Sequence, residues 1–418
     1  MFKLVFNELL GVSYRIHDDL NKAHLNYSKL KEGSGIQCVP YGLLDESEIR
    51  NSILNEIEFE SWNDSSYCFK TGTEDSVLPF DIFSAIFFLI SRYEEYLDFT
   101  PDHHSRFPAT ESVLFKNNLL QEPLVNEWIM TLKSILINHF PELSFKETEF
   151  EYRSTIDIDQ AWKFRNKGFI RNFVGTIQDL LQGKWENLKD RWPVLLGLKS
   201  DPFFNFEWQN EVHSEFNTNV NYFILLGNRS KFDKNVSHTN SNFKSLIRRL
   251  NLAENCTVGI HPSYQSNDNK SLVNVEIKRL KTILESAVTT SRQHFLMHQM
   301  PQTYEVLIKN GIVEEHTMGY STHLGFRAGI ASPFYFYNLK TESETSLRLV
   351  PFCAMDITPL HYRNESPEQA IKTLTNLMDK VRKVNGLFVS LWHNESFSET
   401  ERWKGWRKVY VSLLNNSH

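Results

Sequence analysis

The feature that most constrains the fold of this chain begins near residue 150, where short apolar strands alternate with segments of helical periodicity. The predicted strands are 221–227, 256–260, 346–352 and 386–392, and the predicted helices lie around 169–190, 241–252, 272–289, 301–310 and 367–384. Such alternation is typical of an α/β domain with a largely parallel sheet, of which a barrel is one form. In these folds the chemistry gathers where strands end and loops begin.

The length of 418 residues favours two domains. We predict an N-terminal mixed α/β domain over 1–148 and a second domain over 149–418 that carries the chemistry. The first domain contains a predicted buried helix within 78–99 and another over 125–140. His103 and His104 lie in the polar loop between them. Adjacent histidines more often point apart into solvent than bind a metal together, so we favour the solvated interpretation.

Composition excludes several classes of function. The net charge of −6 and the lack of a dense Lys/Arg block argue against nucleic-acid binding. The first twenty residues do not resemble a signal peptide, and the longest apolar run, 85–90, is too short to span a bilayer. The cysteines are widely spaced and are predicted to be reduced: Cys38, Cys68, Cys256 and Cys353. A cytoplasmic location is expected.

Chemically capable side chains follow four strand ends: those of the alternating stretch 149–156 and of the predicted strands 256–260, 346–352 and 386–392. They are Asp157 with Asp159, His261, Asp356 and His393. One such residue would be chance, but four strand ends meeting at one edge of a sheet indicate a site. Aspartate and histidine are ligands of borderline metals, and they are equally the parts of a general acid–base pair.

Asp157 and Asp159 raise a specific question, because residues i and i+2 of a strand point to one face. Two carboxylates held there repel each other unless a cation or a shared proton lies between them. The alternative is a loop that begins at Asp157, with both carboxylates in water.

Two further segments add candidate side chains. Residues 291–298 carry Arg292, His294 and His298. Residues 318–337 carry Arg327 in a loop rich in glycine and aromatic residues.

The order of these residues resembles the polysaccharide deacetylase family (carbohydrate esterase family 4) over about 150–418. Thr155–Asp159 is similar to the family's T-F-D-D-G motif, His261–Gln265 to H-S-x-x-H, and Arg292–Phe295 to R-x-P-Y. Asp356 matches the acid of the fourth motif, and Leu391–His393 matches the fifth motif, L-x-H. The resemblance implies an α/β fold with a distorted (β/α) barrel. The segments "GFRAG" and "FFLISRYEEYL" are similar to a bacterial subgroup with an uncharacterised N-terminal domain.

The resemblance also implies a divalent metal, usually zinc, although cobalt, nickel or iron would suit the same ligands. Gln265 stands where the family has its second metal-binding histidine. We expect His294 to replace it, with Asp159 and His261 as the other ligands. His298 is the alternative replacement, and a site that has lost its metal is a third interpretation.

The resemblance further implies roles for the remaining residues. Asp157 would be the catalytic base, kept ionised by Arg292, and His393 would be the general acid, oriented by Asp356. A substrate-binding role is predicted for Arg327, Phe295 and Trp392, with a structural salt bridge as the alternative for Arg327.

The predicted function is therefore a metal-dependent hydrolase that removes an N-acetyl or O-acetyl group from a carbohydrate or polysaccharide. Three alternatives remain open from the sequence. They are a metal-independent amide hydrolase on the same scaffold, a non-catalytic carbohydrate-binding protein, and a structural partner in a polysaccharide-assembly complex.

Overall fold

The structure is a computed structural model that describes residues 1–30, 33–63, 65–72 and 76–417. Its N-terminal part consists of short strands and helices, beginning with a π-helix over Lys3–Leu9. The strands are β1 (Leu25–Tyr27), β2 (Ile36–Cys38), β3 (Glu60–Trp62) and β4 (Ser65–Tyr67), and the α-helices are α1 (Ile82–Ile90), α2 (Val113–Lys116) and α3 (Leu124–His139). β1 pairs with β2 and β3 with β4, as two small sheets.

Helix α1 is the centre of this N-terminal part. Asp81 caps it, because its side chain accepts hydrogen bonds from the backbone N–H groups of Phe83 and Ser84. Eight of its nine residues are buried, as expected of a helix that is apolar on all sides. It ends at Ser91, after which Arg92 adopts a left-handed conformation with a φ of 54°.

The C-terminal part is built on a nine-stranded sheet. Its strands are β5 (Glu151–Ile158), β6 (Val220–Ile224), β7 (Cys256–Ile260), β8 (Thr290–Ser291), β9 (Glu314–Glu315), β10 (Phe334–Asn338), β11 (Ser343–Leu349), β12 (Ala354–Met355) and β13 (Leu387–His393). The spatial order is β10-β11-β9-β8-β7-β6-β5-β13-β12. The helices of this part are α4 (Phe169–Leu181), α5 (Trp185–Leu195), α6 (Phe206–Glu215), α7 (Ser241–Leu252), α8 (Ser271–Leu284), α9 (Gln302–Lys309), α10 (Pro367–Lys383) and α11 (Trp406–Asn416).

Pairing in this sheet is parallel except between β10 and β11. Parallel strands covered by helices are buried on both faces, which is why β6 and β13 read as continuous apolar runs. The register places His393 of β13 opposite Asp157 of β5, and Asp157 opposite Phe223 of β6. The carboxyl ends of the central strands therefore coincide at one edge.

The family resemblance implies a distorted (β/α) barrel, and the structure shows a large, mainly parallel sheet without showing a closed barrel. Among the described residues, no strand pairing joins its outer strands β10 and β12. β12 is two residues long and pairs with β13 alone among the described strands. The segment between β11 and β12 is irregular and runs from β9 to β13. The Val350 N–H donates to the Glu315 carbonyl of β9, and the Cys353 N–H donates to the Val389 carbonyl of β13.

The single helix expected around 169–190 is two helices. Gly183 separates α4 from α5 and has a φ of 65°, a left-handed conformation that glycine adopts without strain. The two helices form a pair between β5 and β6, which we call the α4–α5 hairpin.

The N-terminal part packs directly against the sheet. The Val125 N–H donates to the Gly329 carbonyl, and the Phe326 N–H donates to that of Leu120. One continuous apolar core contains buried residues from both parts. The predicted domain boundary at 148–149 lies in the segment that connects α3 to β5. In the described ranges, no helix is both long and apolar enough to cross a membrane.

Candidate active site

A cavity of 230 Å³ lies at the carboxyl ends of the central strands. Besides Phe295, five of the site residues predicted from the sequence line it: Asp157, Asp159, His261, His294 and His393. The strands explain this placement, because each of these residues ends a strand or follows one within three positions. Asp157 and Asp159 face the same way along β5, while Ile156 and Ile158 are buried on its other side.

Asp159, His261 and His294 form the tightest cluster in the cavity. One oxygen or nitrogen atom of each lies within 4.8 Å of the others. The Nε2 atoms of His261 and His294 are each 3.4 Å from an oxygen of Asp159. The structure therefore brings His294, and not His298, to the other two residues.

Both imidazoles are oriented through their other nitrogen. Nδ1 of His261 lies 2.6 Å from the carbonyl oxygen of Arg292, which can only accept a hydrogen bond. Nδ1 of His294 lies 2.9 Å from Oδ1 of Asp233. Each Nδ1 thus carries a proton, which directs the Nε2 atoms of both rings toward Asp159. Hydrogen bonds of this kind are typical of metal-binding histidines.

Charge interactions within the cluster are strong. Burial opposes the charged form of Asp159, but His294 and His261 outweigh it and hold the pKa of this carboxyl well below its usual range. Burial also opposes protonation of His294, but Asp159 and Asp233 raise the pKa of the ring to about 9. The negative charge of the two carboxylates therefore attracts a cation to this position, be it a proton or a metal ion.

Asp157 is held separately from the cluster. Its Oδ1 accepts a hydrogen bond of 3.0 Å from Nη1 of Arg292, which is fully buried. Its Oδ2 lies 3.6 Å from Nε2 of His261. The guanidinium offsets the repulsion between Asp157 and Asp159, and both carboxylates can therefore face the same cavity.

His393 forms a second ion pair, with Asp356. The backbone N–H of His393 donates to Asp356 Oδ2 at 2.8 Å, and its Nδ1 lies 3.1 Å from Oδ1. Burial opposes the protonated ring, but Asp356 outweighs burial and raises the pKa of His393 to about 10. The imidazole thus carries its proton at neutral pH, while the ring lines the cavity.

Two residues expected to bind substrate lie away from the cavity. Arg327 is buried and makes two hydrogen bonds to Glu95, of 2.8 and 2.7 Å, so the salt-bridge alternative describes it. Trp392 is buried against Phe397 and Tyr410. Side chains alternate along β13, and since Leu391 and His393 line the cavity, Trp392 points to the opposite face.

His298 takes no part in the cluster. It is buried, stacks on Tyr304, and has its Nε2 3.5 Å from Glu95. Phe295, the third residue expected to contact substrate, does line the cavity.

Asp233 is a functional candidate that the sequence reasoning missed. It is fully buried and accepts hydrogen bonds from His294, from the Ser230 hydroxyl and from the backbone N–H of Tyr264. Its position in the loop after β6 is the feature of the sequence that could have identified it, because the other predicted site residues also follow strands.

The N-terminal part contributes one wall of the cavity, which the sequence also did not reveal. His103, His104 and Arg106 line it. Nδ1 of His104 lies 3.1 Å from the Tyr264 hydroxyl. Nη1 of Arg106 donates to the carbonyl of Phe295 at 2.6 Å. The histidine pair therefore belongs to the cavity wall and lies outside the Asp159–His261–His294 cluster.

Phe295 has a strained backbone. Its φ is 58°, and that of Leu296 is 54°, in the left-handed region that bulky residues rarely adopt. Arg106 fixes the carbonyl of this strained peptide from outside. Strain of this kind persists only where the surroundings impose it, which is consistent with a backbone positioned for function.

The fold and the cavity define a mixed α/β protein with an Asp–His–His cluster at the carboxyl edge of a mainly parallel sheet. Two ion pairs, Asp157–Arg292 and Asp356–His393, lie beside the cluster. Residues 1–141 match the model of DUF7033, a family of unknown function. No curated protein is significantly similar to the chain.

Two solved structures resemble parts of this chain. A candidate polysaccharide deacetylase from Mycobacterium smegmatis is 13% identical, with the match covering 65% of this chain and 86% of that one and a TM-score of 0.41. A mutant of a CE4 family pseudoenzyme, with restored enzymatic activity, is 11% identical, with 63% of both chains covered and a TM-score of 0.26. Likenesses this weak support no conclusion about activity.

Proposed function

We propose that this protein is a metal-dependent hydrolase that removes an acyl group, in the first place acetyl, from an amide or ester of a saccharide. The observation that carries the proposal is the Asp159–His261–His294 cluster, with Asp157 and His393 lining the same cavity. Asp157 is paired with Arg292, and His393 with Asp356. The saccharide rests on the resemblance of the ordered motifs to the polysaccharide deacetylases.

The three clustered side chains fit a divalent cation. Oδ1 of Asp159 is buried and accepts no hydrogen bond from the described residues, so this oxygen is free to bind a cation. Both imidazoles keep their Nδ1 protons, which reserves the Nε2 atoms as ligands. Two nitrogen ligands and one oxygen suit zinc, and three protein ligands leave a position for water. When bound, the cation would polarise the substrate carbonyl and lower the pKa of a water molecule.

The remaining residues divide the proton transfers between them. Asp157 takes a proton from the attacking water, because Arg292 holds its Oδ1 while the carboxylate faces the cavity. The water oxygen bonds to the acyl carbon, and the bond from that carbon to the saccharide nitrogen or oxygen breaks. His393 gives its proton to the leaving atom, and Asp356 stabilises the protonated ring before this step. The products are a carboxylate and a free amine or hydroxyl group.

The test is acetate release by the purified full chain from N-acetylated and O-acetylated oligosaccharides. We expect release from at least one substrate, its loss on dialysis against a chelator, and its recovery when zinc is added back. Metal content is measured on the same samples by elemental analysis. Asp157→Asn serves as the inactive control that keeps its metal.

Two of the three alternative functions have their own outcome in this experiment. Release that survives complete metal removal would indicate a metal-independent hydrolase. Saccharide binding by the wild-type protein without any release would indicate a carbohydrate-binding protein. Either result contradicts the proposal.

A further inference from the structure

The α4–α5 hairpin carries its apolar side chains on the outside. Along α4 the exposed apolar residues include Phe169, Ile170, Phe173, Ile177, Leu180 and Leu181. Ile170 and Leu181 are 79% and 80% exposed. Positions 170, 173, 177 and 181 follow the spacing of one helix face. This helix is amphipathic, and its apolar face is turned to the surroundings.

Polar contacts inside the hairpin fix this orientation. The buried residues of α4 are Asn172 and Asp179, both polar. Arg191 of α5 donates to Asp179 and, at 3.1 Å, to Oδ1 of Asn172. Asn172 in turn donates to the carbonyl of Phe164 at 3.0 Å. A rotation of α4 that buried its apolar face would break these hydrogen bonds. The outward apolar face is therefore the stable arrangement of the pair.

The exposed apolar surface is concentrated in this one segment. Within the described part of the chain, ten of the eighteen most exposed large apolar side chains fall between Phe169 and Leu198. Trp185 and Leu196 extend the surface onto α5 and beyond its end. Single exposed apolar residues are ordinary, whereas a contiguous patch of this kind marks a binding surface.

The charge around the hairpin indicates what binds there. Residues 160–200 contain eight Lys and Arg and three Asp and Glu, a net charge of +5, although the whole chain has a net charge of −6. Arg165, Lys184 and Lys189 are exposed. An amphipathic helix with an apolar face, flanking cations and a tryptophan is the composition that lies in the interface of an anionic bilayer. In a dimer formed through this face, two positively charged surfaces would instead lie against each other.

We propose that the α4–α5 hairpin docks this protein on the surface of an anionic phospholipid bilayer. The apolar face of α4 enters the boundary between headgroups and acyl chains, and the flanking cations contact the phosphates. The helices lie on the membrane and do not cross it.

Docking in this way would hold the cavity beside the bilayer. The hairpin follows β5 directly, and Arg171 of α4 donates to the carbonyls of Lys234 and Asn235 at 2.6 and 3.3 Å. That loop also carries Asp233, which supports His294. The proposal stands independently of the proposed hydrolase activity, because it depends on the hairpin surface alone.

The experiment is flotation of the full chain with lipid vesicles. Vesicles of equal parts phosphatidylcholine and phosphatidylglycerol are compared with vesicles of phosphatidylcholine alone, at low and high salt. We expect strong binding to the anionic vesicles, weaker binding at high salt, and little binding to the neutral ones. Hydrogen exchange of residues 169–182 in the wild-type protein should slow when anionic vesicles are added.

Two pairs of substitutions separate the two contributions. Phe173→Ser with Ile177→Ser should abolish flotation, while the matched pair Ile16→Ser with Leu252→Ser, at exposed sites outside the hairpin, should leave it unchanged. Lys184→Gln with Lys189→Gln should weaken binding by about fivefold for each charge removed. Since all of these side chains are exposed, the thermal unfolding temperature should not fall.

Two results would overturn the proposal. One is failure of the wild-type chain to float with anionic vesicles. The other is a dimer in light scattering that the Phe173→Ser and Ile177→Ser pair dissociates, because a second copy would then cover the face.

Discussion

His294 lies between two carboxylates: its Nδ1 is 2.9 Å from Asp233 and its Nε2 is 3.4 Å from Asp159. Asp233 is fully buried, and the loop that carries it is tied to Tyr264 through a backbone hydrogen bond. The ring is therefore fixed before any cation binds. The Asp159–His261–His294 cluster thus forms without Gln265, the residue that stands where the family resemblance expects a second histidine.

The first prediction concerns the third ligand. His294→Ala should lose the metal, because one of three ligand atoms disappears, whereas His298→Ala and Gln265→Ala should keep one ion per chain. Elemental analysis of the purified variants measures this. Retained metal in His294→Ala together with loss in His298→Ala would transfer the role to His298.

The second prediction concerns Asp233. Asp233→Asn keeps an acceptor for the His294 Nδ1 proton but removes the charge, and such substitutions typically lower metal affinity by about 10–100-fold. Competition with a metal-sensitive chelator measures the dissociation constant. Asp379→Asn, on the exposed face of α10, is the matched control and should not change it. An unchanged affinity in Asp233→Asn would show that the carboxylate does not support the ligand.

The third prediction separates the two aspartates of β5. Asp157→Asn should lower turnover by about 10²–10⁴-fold, the contribution typical of a general base, and should keep the metal. Asp159→Asn should lose metal and activity together. Retained metal also reports that Asp157→Asn is folded, which matters because Arg292 loses its buried partner. Near wild-type turnover in Asp157→Asn would contradict its role as the base.

The fourth prediction concerns Arg327, whose partner Glu95 is also buried. Arg327→Ala leaves the buried group of Arg92, Glu94 and Glu95 with one negative charge in excess, so the free energy of unfolding should fall by about 3–5 kcal/mol. Lys22→Ala, which removes an exposed ion pair with Asp19, should cost about 1 kcal/mol or less. Urea unfolding measures both. The KM of the folded Arg327→Ala protein should be unchanged, and a raised KM without loss of stability would restore a substrate-binding role.

Local pattern was enough to predict much of the sheet and the site. The apolar runs identified β6, β7 and β13, and the i, i+2 rule placed Asp157 and Asp159 on one face. The same rule applied to β13 would have excluded Trp392, because His393 and Leu391 occupy the cavity side.

Long-range partners could not be predicted from local pattern. Arg327 pairs with a residue 232 positions away, and the Arg106 contact with Phe295 spans 189 positions. Both join the N-terminal part to the C-terminal part, and neither follows from spacing within one segment. Whether the sheet closes into a barrel could not be predicted for a similar reason. Closure depends on whether residues 350–353 extend as a strand, and their apolar composition alone does not decide this.

The last prediction concerns His393 and Asp356. Because Asp356 raises the pKa of His393 to about 10, the ring is protonated at neutral pH, and activity should fall as the pH rises through that value. Asp356→Asn should move this fall to lower pH, because the imidazolium loses its partner, and should leave the metal content unchanged. Rate measurements over a pH series check the shift, with Asp379→Asn as the matched control.

Stability should follow the same titration. The pKa of His393 is raised in the folded protein above its ordinary value of 6.5, so the charge pair stabilises the fold fully below that value. The stabilisation should be lost as the pH rises from about 6.5 to about 10. In Asp356→Asn this loss should be smaller, and the unfolding free energy should vary less over that interval. If a folded Asp356→Asn protein kept the wild-type pH dependence of both rate and stability, the two residues would only pin the ends of their strands.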